Sequence, residues 1–477
     1  MTTSIHSFNR RTKVSRTAIR YLAMVFAFWS LVSCDDFVKV DPPRTQLIKS
    51  TVFTSDATAL AAVSDIYFQL AGATSFAGGN FTSISFVMSI NADEQLNFYV
   101  GAPVSTVEYQ QLADNVVLPN NSRVSAFWSQ PYQVIYKSNA IIEGAQQSSG
   151  MSENIRKQVE GEARFFRAFC LFYLVNIFGD VPLVTTTDYR TNATMTRTPV
   201  AEIYTQIIDD LLLAKELLVN NYTASNNERV RVSKGAATAL LARAYLFNGD
   251  WVNAEIQASD LMNDTELYAL NTDLSLVFRA SNNKEPIWQL WRNTTPMDRA
   301  TFFLPAGGPN YGVLRTEFVS DFEETDQRRL WIESRIINEV EYFYAYKYAA
   351  FGTTPPLDYS TVFRLAEQFL IRAEARAQLN KISEAQEDIN AIRHRAGLPD
   401  TQAADKNALL QAIELERKHE LFTEWGHRWF DLKRTGRVDE VLSTIKAQWT
   451  PTAALYPIPE IQILNNPSMK NQQNPGY

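Results

Sequence analysis

The chain has 477 residues, with 45 Lys and Arg against 52 Asp and Glu and a formal net charge of -7. At 45% hydrophobic and 20% charged residues it is neither disordered nor collagen-like, and its acidity opposes binding to nucleic-acid phosphate or anionic headgroups. Aromatic residues reach 12%, with 9 Trp, 20 Tyr and 28 Phe; such a supply fills cores first and also suits stacking on ligands.

Residues 1–33 are patterned as an export signal that is removed. Arg10, Arg11, Lys13, Arg16 and Arg20 make a basic leader without an acid, and an apolar run follows over 21–32. That run is shorter than the roughly 20 residues a membrane-spanning helix needs. Removing the leader leaves 40 basic residues against 52 acidic, a net of -12.

The run ends in Leu31-Val32-Ser33-Cys34, which resembles a bacterial lipobox, so Cys34 is the expected lipidation site. Several acyl chains on one terminus hold far better than one, since each buried methylene adds about 0.8 kcal/mol. Asp35-Asp36 resembles the acidic residues that follow the lipidated cysteine in exported Bacteroidetes lipoproteins, which implies the extracellular side of the outer membrane. The other cysteine, Cys170, lies in an apolar helical run and acts as a small hydrophobe. The two offer neither a disulfide framework nor a cysteine-based zinc site.

After a lipidated tether over 34–50, which contains Pro42-Pro43, the pattern becomes helical. Asp56 is placed to cap a helix through Ala59, Val63, Ile66 and Leu70, ended by a glycine-rich stretch at 71–80. Further helices are expected near 122–146, 153–178, 199–220, 233–247, 251–263, 361–379, 383–396 and 405–434. Between 264 and 360 the sequence is irregular, with strand-like pieces at 286–291 and 342–348 and a turn at Pro305-Ala306-Gly307-Gly308-Pro309-Asn310. The expected fold is therefore mainly α: one domain over 51–477, with a helical-hairpin scaffold over 51–263 and 361–477 around a loop-rich, short-strand middle segment.

Two stretches match each other. Ala242, Ala244, Ala254, Ala258 and Leu261 correspond to Ala373, Ala375, Ala385, Ile389 and Ile392. The first, running from Ala239 through Tyr245 and Trp251 to Glu255, resembles a tetratricopeptide repeat (TPR), in which small residues let paired helices approach. Insertions separate the units, so the chain is no simple solenoid.

Four stretches in order resemble the RagB/SusD family, over almost the whole of 34–477. They are Cys34-Asp35-Asp36-Phe37 with Asp41-Pro42-Pro43; Gly161-Glu162-Ala163-Arg164 with Phe178-Gly179-Asp180-Val181-Pro182-Leu183; Glu416-Arg417 with Glu420-Leu421 and Glu424-Trp425-Gly426-His427-Arg428-Trp429; and Leu455-Tyr456-Pro457-Ile458-Pro459 with Asn474-Pro475-Gly476-Tyr477. The resemblance implies a SusD-like lipoprotein of the cell outer membrane that binds an oligosaccharide or peptide. It also implies a SusC-like TonB-dependent transporter as partner. Alternatives are a TPR scaffold lipoprotein without a small ligand and, less favoured, a carbohydrate-cleaving enzyme.

The charged segment 416–434 invites a catalytic reading, but His419 and His427 are eight apart and lack the zincin spacing. Arg417, Arg428 and Arg434 supply carboxylate partners, so ion pairs inside the scaffold are expected. The sequence shows no phosphate loop, dinucleotide fingerprint or nucleophile motif, and no catalytic residue, metal or cofactor is assigned. A glycosidase needs two carboxylates across a cleft, which adjacent Asp93 and Glu94 do not make. Sugar binding calls for exposed rings in loops with polar partners. The expected ligand residues are Tyr109, Trp291 and Tyr311 as platform, with Asp93 and Asn115 as hydrogen-bonding partners; Trp128, with Tyr132 and Tyr136, is read as core.

Overall fold

Several helices begin where a short polar side chain accepts a backbone N–H. Ser55, Ser83, Asn121, Ser233, Asp250 and Asp405 each do so, which satisfies one of the orphan donors of a first turn. The first helix is thus capped by Ser55, with Asp56 one place inside it. The computed structural model describes residues 52–78, 81–280, 283–292, 302, 304–349 and 357–477. The leader, Cys34 and the tether lie outside the described residues.

From residue 56 the described chain runs through helices α1 (Asp56–Leu70), α2 (Ile84–Asn91), α3 (Pro103–Ala113), α4 (Ser122–Gln147), α5 (Glu153–Phe178) and α6 (Val200–Leu217). Helix α5 is the centre of the core. Over 161–178 only Arg164 and Asn176 escape full burial, and α4 and α6 pack along its sides. Phe165 and Phe169 meet the edge of Trp288 at centroid distances of 5.2 and 5.6 Å, a favoured aromatic geometry. Arg167, also buried, is held by both oxygens of Asp210 at 2.7 and 2.6 Å.

The matched stretches are helical hairpins: α7 (Lys234–Phe247) with α8 (Trp251–Met262), and α9 (Leu365–Gln378) with α10 (Ile382–Arg395). All ten matched residues are buried. Helix α8 also packs on α9, so the inserted segment loops out and the two hairpins stack as neighbouring repeats do. Arg376 reaches from α9 to Glu255 of α8 at 3.1 Å.

The expected helix over 405–434 is two, α11 (Lys406–Glu420) and α12 (His427–Arg434), followed by α13 (Val438–Ile445). Thr423, Trp425 and Gly426 break it with positive φ. The middle segment, joined by β1 from the N-terminal part, forms two antiparallel sheets. One joins β1 (Gln95–Asn97), β3 (Gly312–Leu314), β5 (Val340–Ala345) and β4 (Ile332–Ile337) in that order, and the other pairs β2 (Pro286–Leu290) with β6 (Ser360–Arg364). Strand β6 takes the first residues of the expected 361–379 helix. Helices α2, α3 and α13 and strands β1, β3, β4 and β6 were not anticipated from sequence. The whole is mainly helical with few short strands.

Candidate glycan-binding face and its supporting ion pairs

Pairing of β1 with β3 sets Asn97 opposite Gly312, and the Phe98 N–H donates to the Tyr311 carbonyl, extending the ladder. That brings Tyr99 and Tyr311, distant in sequence, onto one ring cluster. Phe81 lies nearly parallel to Tyr311 at 5.1 Å and 11°, and Tyr99 stacks on Tyr311 at 6.1 Å and 28°. Phe81, Tyr99 and Tyr311 are all half-buried. Their floor is Tyr109, whose ring lies 4.3 Å from Tyr99 and 5.9 Å from Phe81.

Along the same sheet Phe98 meets Tyr342 edge-on at 5.7 Å, and Tyr346 packs edge-on against Tyr344. Val100, which follows Tyr99, and Val104 and Val107, on the same helix as Tyr109, are exposed, and Gln110 and Asn97 supply amides next to the cluster. Half-buried rings beside amides can receive the C–H face of a sugar while its hydroxyls are hydrogen-bonded.

The five residues expected from sequence fall differently. Tyr311 lies in this cluster, though half-buried where an exposed ring was expected. Tyr109 belongs to it too, but on helix α3 and not a loop; it is 1% exposed and its hydroxyl donates to the Phe81 carbonyl at 2.9 Å. Burial pushes the hydroxyl well above the usual tyrosine range. Tyr109 therefore offers no open face.

Trp291 is 50% exposed at the end of β2, whereas Trp288 is fully buried. Its indole lies near the Tyr359 hydroxyl, which donates to Glu228 at 3.1 Å, a neighbourhood outside the Phe81 cluster. Asn115 is buried in a left-handed conformation (φ 57°) just after α3, a position Asn tolerates.

Asp93 is gripped by Arg428, which donates from Nε at 2.7 Å and Nη2 at 2.8 Å. Burial alone would raise its carboxyl, but the Arg428 fork, with Lys418, holds it below the ordinary value. Glu94 is buried without such a fork. Burial, and then the charge of Asp93, push it up to about 8. Asp93 is thus a structural anion, not a hydroxyl acceptor on an open surface.

The charged segment is likewise a buried lattice of ion pairs. Glu416 meets Arg328 and Arg393, and Glu420 meets Arg328, Arg364 and Arg395. Arg364 also spans both oxygens of Glu424 at 2.8 and 2.9 Å. Arg417 and Arg434 share Asp431. Several partners of these acids come from β6, α10 and the 326–328 turn, beyond the segment itself. Among the described residues no cluster of three metal-ligating side chains occurs, and no helix is long and apolar enough to cross a membrane.

Sequence reasoning passed over Phe81 and did not select Tyr99, since both gain their setting from the β1–β3 pairing. The only local signal was a tyrosine outside the helical periodicity.

Two family profiles match the chain: residues 53–246 fit a SusD-like family described as starch-binding and associating with the outer membrane, and residues 335–477 fit the SusD family. SusD-like protein P25 of Formosa agariphila is 25% identical over 538 aligned residues, covering 96% of this chain and 99% of its own. SusD-like protein P2 of the same organism is 26% identical, with the same coverage. Among solved structures, a SusD superfamily protein from Bacteroides vulgatus superposes with a TM-score of 0.75 at 22% identity, covering 88% of this chain and 98% of that one. A laminarin-binding SusD-like protein (TM-score 0.72, 23% identity) and surface glycan-binding protein A from Bacteroides fluxus (TM-score 0.72, 24% identity) each cover 88% of this chain and 99% of their own. With matches to both ends of the described region, full-length relatives and a shared fold, this chain belongs to the SusD/RagB family.

Proposed function

We propose that this protein binds oligosaccharide, without cleaving it, on the Phe81–Tyr99–Tyr311 face and delivers it to a SusC-like TonB-dependent transporter. A lipid on Cys34 would hold it on the extracellular side of the outer membrane. The observation that carries the binding half is the half-buried ring cluster beside amides. Two fold neighbours are described as laminarin-binding and as a surface glycan-binding protein, which supports a glycan over a peptide. The buried acids favour binding over catalysis, because Asp93, Glu416, Glu420 and Glu424 each spend their charge on a guanidinium.

Modest affinity is expected, since sugar hydroxyls and the protein amides must both shed water. Affinity electrophoresis in gels containing laminarin or soluble starch tests the reading. Tyr311→Ala should weaken retardation about tenfold, equivalent to about 1.4 kcal/mol, with the circular dichroism spectrum unchanged. A Tyr311→Ala, Tyr99→Ala protein retarded like the parent would refute this face as the glycan site.

A further inference from the structure

Helix α4 carries a second aromatic stripe. Trp128, Tyr132 and Tyr136 recur every four residues, so they share one face and step along the axis by about 6 Å. Trp128 is buried, as the sequence suggested, and leans on Tyr132 with centroids 5.3 Å apart. Tyr132 is half-buried and donates its hydroxyl to the Pro182 carbonyl at 2.7 Å. Tyr136, however, is 52% exposed.

The stripe walls a groove of about 810 Å³ whose far side is built from the C-terminal segment that carries Gln462 and Asn465. Small-molecule sites commonly span roughly 300–1,000 Å³. No lining residue belongs to the Phe81 cluster.

The chemistry of the lining selects the ligand. Lys137 is already committed, to Asp65 at 2.6 Å and to Gln69 at 2.6 Å, so no cation is left over for an anionic ligand. The polar groups are amides. Gln462 is half-buried and Asn465 exposed, and neither side chain is hydrogen-bonded among the described residues. Asn192 gives its amide to the Thr186 carbonyl at 2.8 Å, while its Oδ1 is buried without a donor. A purely apolar ligand would bury these amides unpaired, which costs free energy. A neutral chain of sugars suits the groove: C–H faces lie on Tyr132 and Tyr136, hydroxyls meet the amides, and the step between rings is of the order of one sugar residue.

We propose that this groove is a second subsite for a neutral oligosaccharide, separate from the Phe81–Tyr99–Tyr311 face. The inference rests on the glycan-binding reading above and deepens it. Two subsites on one chain would let a long polysaccharide bind with an avidity that neither reaches alone.

The test uses the same gels with laminarin or soluble starch and the Tyr136→Ala, Gln462→Ala protein, alone and combined with Tyr311→Ala. Both groove side chains lack hydrogen bonds among the described residues, so the double substitution leaves the fold intact. Reduced retardation in either background, by about threefold or more, supports the subsite. Retardation unchanged in both backgrounds overturns it while leaving the Tyr311 face standing. Absence of retardation for the unsubstituted protein overturns both readings together. A groove variant retarded normally but stripped of a co-purifying membrane protein overturns the subsite and makes the groove a protein-docking surface.

Discussion

At the scale of single residues, Asp93 and Glu94 show how far burial can separate two adjacent carboxyls. Asp93 receives the Arg428 fork and stays ionised. Glu94 has only long contacts from the Thr423 N–H, at 3.3 and 3.4 Å, and is held at about 8 against an ordinary 4.5. Because the folded value is the higher one, the contribution of Glu94 to stability is complete below about pH 4.5 and is lost as pH rises through about 8. Other buried groups titrate in parts of this window, His427 with the opposite sign because burial depresses it. The difference between parent and Glu94→Gln therefore isolates the carboxyl. Urea midpoints recorded from pH 4.5 to pH 8 should fall more for the parent than for Glu94→Gln; parallel curves would show that Glu94 ionises freely. Sequence alone made Asp93 a hydroxyl acceptor because its partner Arg428 stands at the other end of the chain, where no local pattern could reveal it.

At the scale of elements, the hairpins were legible because small residues at helical spacing have few other uses. Their tight packing leaves little slack. A Cβ on Gly235, at the start of α7, would lie 1.9 Å from the buried Tyr268 hydroxyl, which shares a 2.8 Å hydrogen bond with Tyr222. Gly235→Ala should destabilise the protein by about 1–3 kcal/mol through overpacking, read as a lower denaturation midpoint. Gly307→Ala, where a Cβ meets nothing within 4 Å, is the matched control and should change little; equal behaviour of the two variants would refute the packing argument. The break between α11 and α12 was hidden for the converse reason. Leu421, Phe422 and Glu424 all suit a helix, yet the chain turns, and at the turn Gly426 comes so close to Met88 of α2 that a Cβ there would sit 2.7 Å from the Met88 Cβ. That constraint is tertiary.

At the scale of the molecule, the buried ion pairs tie distant parts of the chain into one unit, residues Val52–Tyr477. Arg364 of β6 meets Glu285, Glu420 and Glu424, and Arg395 of α10 meets Glu285 and Glu420. Breaking such a pair strands a charge in low dielectric, so the lattice favours one arrangement of sheet and helices. The delivery reading belongs to this scale. Protein solubilised gently from outer membranes should co-purify in near-equal amount with a large TonB-dependent barrel, and Cys34→Ser should shift the protein into the soluble fraction. Recovery with assembly factors in place of a barrel would favour the scaffold role.

Composition, helical periodicity and four ordered motifs were enough to read from sequence the helical class, most helix positions, the two matched hairpins and the family resemblance. These features are local, or repeat locally, so they survive in one dimension. Tertiary structure alone decided which aromatics form a surface. Tyr109 and Tyr311 reach one cluster because β1 pairs with β3, and the same packing that gathers the rings buries Tyr109. It also reversed the reading of Tyr136, which follows the periodicity of a core residue yet stands half exposed above a groove. Helical spacing says which side chains share a face. What covers that face depends on segments far away in the chain, here the C-terminal residues around Gln462.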